Sequence, residues 1–144
     1  MIYLDTSSLL KLLHNEPESG AVQAAIALET DVVLSTLSHL EALVQLKAAW
    51  LGGEFRQPHY LKLSDRLTAL CKLAPFRLSN PGSLLFDTAI RQDAEAGSLH
   101  LRTVDRLHLA AMEEIGANRL MTHDRQQALA ARQLGFAAIS PGWR

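Results

Sequence analysis

The chain has 144 residues and a formal charge of −1, with 48% hydrophobic residues and 20% charged ones. That length suits one domain whose folding buries roughly two-thirds of the unfolded surface, and the balance of charge excludes a basic field for gripping phosphate or an acidic tail, so any nucleic-acid contact has to be local. The lone cysteine, Cys71, excludes an intrachain disulfide; no zinc-type Cys/His spacing, secretion signal or uncharged run long enough for a bilayer occurs, and a soluble protein of the reducing cytoplasm is expected.

In chain order, the apolar run Ile2-Tyr3-Leu4 reads as a buried strand that exits into Asp5-Thr6-Ser7, and Leu9 to Leu13 suit a short helix. After the break at Pro17 to Gly20, a second helical stripe runs over Ala21–Leu28, followed by the strand Val32–Leu34. A third helix is expected from about Ser38 to Leu51, stopped by Gly52-Gly53, with Ser38-His-Leu-Glu41 matching the capping-box pattern. Pro58 to Leu73 gives a further helix and Pro75–Leu78 a short strand. Asn80-Pro81-Gly82 opens a helix that Gly97 stops.

The next helix is expected to begin around Val104, capped by Thr103 and closed by Gly116, and it carries Asp105 in its first turn. A carboxylate there falls, with His108, on the same face as Leu101, Val104, Leu109 and Met112, where core residues are expected. A strand over Arg119–Thr122, a helix over Gln126–Leu134 and a last strand over Phe136–Ile139 complete the chain. Short apolar strands alternating with helices indicate an α/β domain, residues 1–144, with a mainly parallel sheet and helices on both faces. Ligands of such sheets bind at the carboxyl ends of the strands.

Four acids compete for that edge. Asp5 and Asp124 read as turn or cap residues, Asp105 as a first-turn acid that suits the helix dipole, and Glu41 as the second member of the capping box. Jointly these readings lose weight, because strand ends and helix starts of a parallel layer share one edge, and four converging carboxylates repel one another unless a cation sits among them. Oxygen-only ligands select Mg²⁺ or Mn²⁺.

Asp5-Thr-Ser, Ser38-x-x-Glu41, Leu101-Arg-Thr-Val-Asp105-x-Leu-His-Leu-Ala and Met121-Thr-His-Asp124 together resemble the PIN domain, specifically the VapC toxins of bacterial toxin-antitoxin pairs, over Ile2 to Phe136. The resemblance implies a Mg²⁺-dependent endoribonuclease with Asp5, Glu41, Asp105 and Asp124 as its catalytic and metal-binding acids, RNA as substrate, a homodimeric state and a cognate antitoxin as partner. Arg106 and Gln127 depart from the pattern, which usually has a small residue at the first position and commonly an apolar one at the second.

Around the acids, Thr6, Ser7 and Thr122 offer hydroxyls to hold them, and His108, one turn from Asp105, is expected to orient it. His39, His108 and His123 stand beside three acids but lack the His-x-x-x-His spacing of a zinc site. Of Arg77, Arg91, Arg102, Arg106 and Arg125, the two that flank Asp105 (Arg102 and Arg106) are the favoured phosphate contacts, and Trp50, Leu46 and Phe55 suggest an apolar patch for a partner. Two other classes remain in view: a binding module whose acids only cap helices, and a strand-end-Asp phosphatase or receiver-like domain. The second acid such a phosphatase needs is replaced by Ser7.

Overall fold

A computed structural model describes residues 1–144. Five strands form one all-parallel sheet in the order β3-β2-β1-β4-β5: β1 Ile2–Leu4, β2 Val32–Ser35, β3 Phe76–Ser79, β4 Arg119–Met121 and β5 Ala137–Ile139. The helices are α1 Thr6–Leu13, α2 Ser19–Ile26, α3 Thr36–Leu51, α4 Gln57–Leu70, α5 Leu85–Glu95, α6 Thr103–Ile115 and α7 Arg125–Gln133. No helix is long and apolar enough to cross a membrane.

Side chains of successive strand residues point to opposite faces, and β1 divides the core accordingly. Ile2 and Leu4 join Val32, Leu34 and Met121 in a cluster with α1 to α4, whereas Tyr3 joins Leu120 in a second cluster with Leu109 and Met112 of α6 and with Ala130 and Ala131 of α7. Helices on both faces leave the strand ends as the accessible edge. The chain passes from β1 outward to β2 and β3 and then returns to β4 on the other side of β1, so the strand order reverses at β1 and opens a crevice beyond its carboxyl end. Asp5 follows β1 directly, with its amide bonded to the Met121 carbonyl at 3.0 Å.

Three helix starts differ from expectation. α3 begins at Thr36, because Ser35 has the extended backbone of an N-cap and its Oγ accepts from the Ser38 amide at 3.1 Å. Ser38 is therefore inside the first turn, and the Ser38/Glu41 capping box does not form. α6 starts at Thr103 with Arg102 in the cap position and no side-chain cap bond, so Thr103 caps nothing. α5 starts at Leu85 rather than at Pro81. The expected apolar patch is also divided: Leu46 is core, Phe55 packs against the same cluster, and Trp50 stacks on Tyr60 at 5.1 Å between ring centres.

Ser35 also bonds the Tyr3 hydroxyl at 2.6 Å, so its Oγ serves both the start of α3 and a buried phenol. Ser35→Ala is expected to cost about 1–3 kcal/mol, through the lost cap and the weakened satisfaction of a buried hydroxyl. Chemical denaturation measures this, and a variant as stable as the parent would show that neither bond matters.

Candidate active site

The edge is built on three strand exits and two helices. Asp5 stands at the cap position of α1 yet makes no side-chain cap bond. Its Oδ2 instead accepts from Ser7 Oγ and Thr122 Oγ1, each at 2.8 Å, which ties the ends of β1 and β4 together through one carboxylate. Two of the hydroxyls expected to hold acids thus do so. Asp124 does cap its helix, Oδ1 accepting from the Gln127 amide at 3.0 Å, and its Oδ2 remains turned toward Arg102 at 3.9 Å.

Glu41, free of a capping role, lies in the second turn of α3 and meets α6. His108 Nε2 is 3.0 Å from Glu41 Oε1 and 3.7 Å from Asp5 Oδ1. The expected role of His108 as the orienter of Asp105 is not realised; α3 presents Glu41 to the same ring. Arg102 holds Asp105 instead, with Nε at 2.8 Å from Oδ2. One imidazole thus bridges Asp5 and Glu41, and one guanidinium bridges Asp105 and Asp124. Asp5 and Asp105 are only 5% and 9% exposed, which makes each a costly place for a carboxylate without a partner.

Hydrogen-bond logic fixes which nitrogen of His108 carries a proton. An ionised carboxylate only accepts, so Nε2 donates to Glu41. Nδ1 is 2.8 Å from the Tyr3 hydroxyl, which is itself within reach of Ser35 and Ser38. When the ring is neutral, the phenol donates to Nδ1; when it is charged, Nδ1 donates and the phenol turns to Ser35. In both states Nε2 keeps its hydrogen and has no lone pair to offer a cation. Burial pushes Tyr3 well above the ordinary phenol range, so the phenol keeps its own proton.

The pKa shifts agree with this arrangement. For Glu41, burial works against the charged form, but the bonds from His108 and Thr6 outweigh it and hold the carboxyl below its ordinary value. For His108, burial lowers the value, and the Glu41 bond with the charges of Asp5, Glu41 and Asp105 more than reverses this. The bond to Asp105 raises Arg102, with the charges of Asp105, Asp124 and Glu41 adding to it.

The set of ligand atoms that all lie within 4.8 Å of one another is Asp5, Glu41 and His108. Asp105 and Asp124 approach from the far side of the edge, where they line an open cleft with Arg102, His100 and Gln126. Because His108 offers a hydrogen, the groups able to hold a cation are the carboxylate oxygens, and such a donor set suits a hard divalent ion.

Other sequence candidates lie elsewhere. His123 bonds Ser8 Oγ and the Pro141 carbonyl, each at 2.8 Å, and packs edge-on to Trp143, so it anchors the carboxyl-terminal segment. His39 keeps a buried, unpaired Nε2 and makes no bond to any of the acids. Arg77 pairs with Asp31 at 2.7 Å, Arg91 with Glu95 and Glu113, and Arg125 lies over Trp143. Arg106 is buried between α5 and α6 and does not reach the edge, contrary to its expected phosphate role. Tyr3 was legible only as a strand residue; the signal for its role is a phenol in an otherwise aliphatic buried triplet, since a buried hydroxyl requires a partner.

The sequence profile of the PIN domain matches residues 2–133. Ribonuclease VapC46 of Mycobacterium tuberculosis (strain ATCC 25618 / H37Rv) is 33% identical over 144 residues, covering 97% of this chain and 97% of that protein. Ribonuclease VapC47 of the CDC 1551 / Oshkosh strain is 30% identical, covering 99% and 98%. Among solved structures, M. tuberculosis VapC20, described as a Sarcin-Ricin loop cleaving toxin, aligns at a TM-score of 0.74 with 18% identity over 98% of this chain and 100% of that one. A toxin-antitoxin complex from Klebsiella pneumoniae aligns at 0.67 with 17% identity, covering 98% of each chain. The structural likenesses establish the fold, the sequence matches span nearly the whole chain, and the chain belongs to the PIN domain family, among the VapC ribonucleases.

Proposed function

We propose that this protein is a Mg²⁺-dependent endoribonuclease, the toxin of a toxin-antitoxin pair, which hydrolyses RNA phosphodiester bonds at the edge formed by Asp5, Glu41, Asp105 and Asp124. The observation that carries the reading is that three of the four acids make no capping bond: Asp5 makes none, Glu41 forms no capping box and Asp105 is held by Arg102, while ligand atoms of Asp5 and Glu41 lie within 4.8 Å of each other. A module whose acids only cap helices accounts for Asp124 alone. The names of the relatives, ribonucleases VapC46 and VapC47, support RNA as the substrate.

Asp5, Glu41, Asp105 and Asp124 would hold the ion, Mg²⁺ or Mn²⁺. When bound, a divalent cation polarises a phosphoryl oxygen and acidifies water. The protein's own groups do the rest. Ser7 and Thr122 fix the Asp5 carboxylate in one orientation, and His108, itself held by Tyr3, fixes Glu41. Arg102 is 75% exposed at its side chain, and its planar fork beside Asp105 suits a phosphate oxygen of the substrate backbone. The protein acts as a homodimer in the cytoplasm, where RNA is available, with residues 1–144 as one nuclease domain. A cognate antitoxin restrains it by covering the acidic edge, a role supported by the fold shared with the Klebsiella pneumoniae toxin-antitoxin complex.

Purified protein incubated with total cellular RNA tests this. Cleavage is expected with Mg²⁺ and not with EDTA; full activity in EDTA would overturn the metal mechanism, and no cleavage of any RNA in either would favour the binding-module reading.

A further inference from the structure

Beyond β5, at residues outside the match to the PIN domain profile, the chain returns to the exit of β4. Ser140 Oγ donates to the Thr122 carbonyl at 2.6 Å, and His123 Nε2 donates to the Pro141 carbonyl at 2.8 Å. Trp143 packs edge-on to the His123 ring, with the Arg125 guanidinium over the indole. The other ring nitrogen of His123 meets the fully buried Ser8 Oγ at 2.8 Å, so one imidazole joins α1 to this segment. Gly142 has a φ of 86°, and a Cβ there would lie 3.2 Å from the side chains of Glu18 and Ala21, so only glycine lets the segment lie down on α2.

The backbone clamped in this way is the one that holds the acids. Ser7 Oγ accepts from the His123 amide at 2.8 Å and Thr122 Oγ1 from the Asp124 amide at 3.1 Å. These are the same two oxygens that donate to Asp5 Oδ2. Each hydroxyl therefore takes a hydrogen from the β4 exit and gives its own to the carboxylate, and a shift of residues 122–124 turns both donors at once. Asp124, a third acid of the edge besides Asp5 and Glu41, is itself part of the clamped backbone. Such a site has to be held to within about 0.5 Å, and loss of a group that merely supports a metal ligand typically costs roughly 10–100-fold in metal affinity or activity.

We propose that His123 is a positioning residue of the acidic edge and that Ser140–Trp143 is the brace it works against. Pinned between Ser8 and Pro141, its ring sets the β4 exit, and through Ser7 and Thr122 that exit sets the orientation of Asp5 together with the place of Asp124. This rests on the reading of the acids as a cation site. Two measurements on the full chain test it, each made well below the melting temperature of the variant: Mn²⁺ binding followed by electron paramagnetic resonance, and the Mg²⁺ concentration that gives half-maximal RNA cleavage. His123→Ala is expected to weaken Mn²⁺ binding by about tenfold or more and to raise the Mg²⁺ requirement by a similar factor. His123→Gln, whose amide still offers a hydrogen to the Pro141 carbonyl, is expected to recover most of that loss. Gly142→Val removes no bonding group yet drives the brace off Glu18 and Ala21, and it is expected to shift both measurements in the same direction as His123→Ala. A brace that serves stability alone lowers the melting temperature of these variants and leaves both metal measurements at the parental value, which would overturn the proposal. Should His123→Ala fail to fold, Gly142→Val and Trp143→Ala decide by the same criterion. A parent that binds no Mn²⁺ would overturn the cation site itself, and the role of the brace with it.

Discussion

Asp5→Asn is expected to leave the fold in place and to reduce RNA cleavage by about a hundredfold or more. The side chain is nearly isosteric, and the amide oxygen can still accept the hydroxyls of Ser7 and Thr122 that reach Oδ2 at 2.8 Å. The cost falls on the other side of the group. There the carboxylate lies 3.7 Å from His108 Nε2, and an NH₂ would set a donor against a donor where a cation needs a lone pair. Loss of a residue that merely supports a metal ligand typically costs 10–100-fold, so loss of a charged ligand should cost at least as much. Circular dichroism with initial cleavage rates measures both quantities. Cleavage within threefold of the parent per folded molecule would remove Asp5 from the site.

The second large effect concerns Glu41, where local structure and chemistry competed most closely in the sequence. Glu41→Gln keeps an acceptor for His108 Nε2 and is expected to fold, while cleavage falls at least tenfold because a charge is gone from the edge. The variant also has a signature independent of activity. Glu41 is held below its ordinary 4.5, so its contribution to stability is complete above that value and is lost as pH falls through the lower folded value. His108 is held above its ordinary 6.5, so its contribution is complete below 6.5 and is lost as pH rises through the higher folded value. Between the two values the pair contributes most. The metal-free parent should therefore lose melting temperature on going from pH 6.5 toward 8, and the Gln variant, which lacks the charge paired with His108, should show a flatter profile. Parallel profiles with parental activity would reduce Glu41 to a surface acid.

Ile2-Tyr3-Leu4 and Val32-Val33-Leu34 are buried triplets of a parallel sheet, and each runs into polar residues, so the strand ends and the acids beside them were legible. The start of α3 was not, because Ser35, Thr36 and Ser38 are all acceptable caps and only the extended backbone at Ser35 selects one. That choice moves Glu41 into the second turn and out of the capping box. Spacing along one helix points His108 at Asp105, whereas the packing of α3 against α6 gives it Glu41, a pairing of residues 67 apart that no local pattern encodes. Arg106 follows Asp105 directly, and one residue along a helix turns the side chain by about 100°, which carries it away from the acids and into the α5–α6 cavity. Gln127, the other departure from the family pattern, is fully buried with both side-chain amide atoms unpaired, and nothing in the structure explains it.

The most direct test of the metal-dependent acidic edge is the binding of Mn²⁺ followed by electron paramagnetic resonance, with the parent compared to Asp5→Asn and Asp105→Asn. The parent is expected to bind Mn²⁺ at a site from which Mg²⁺ displaces it, and both variants are expected to lose that site while retaining their folded spectra. A parent that binds no Mn²⁺, or variants that bind it as the parent does, would contradict the assignment of these carboxylates to a cation.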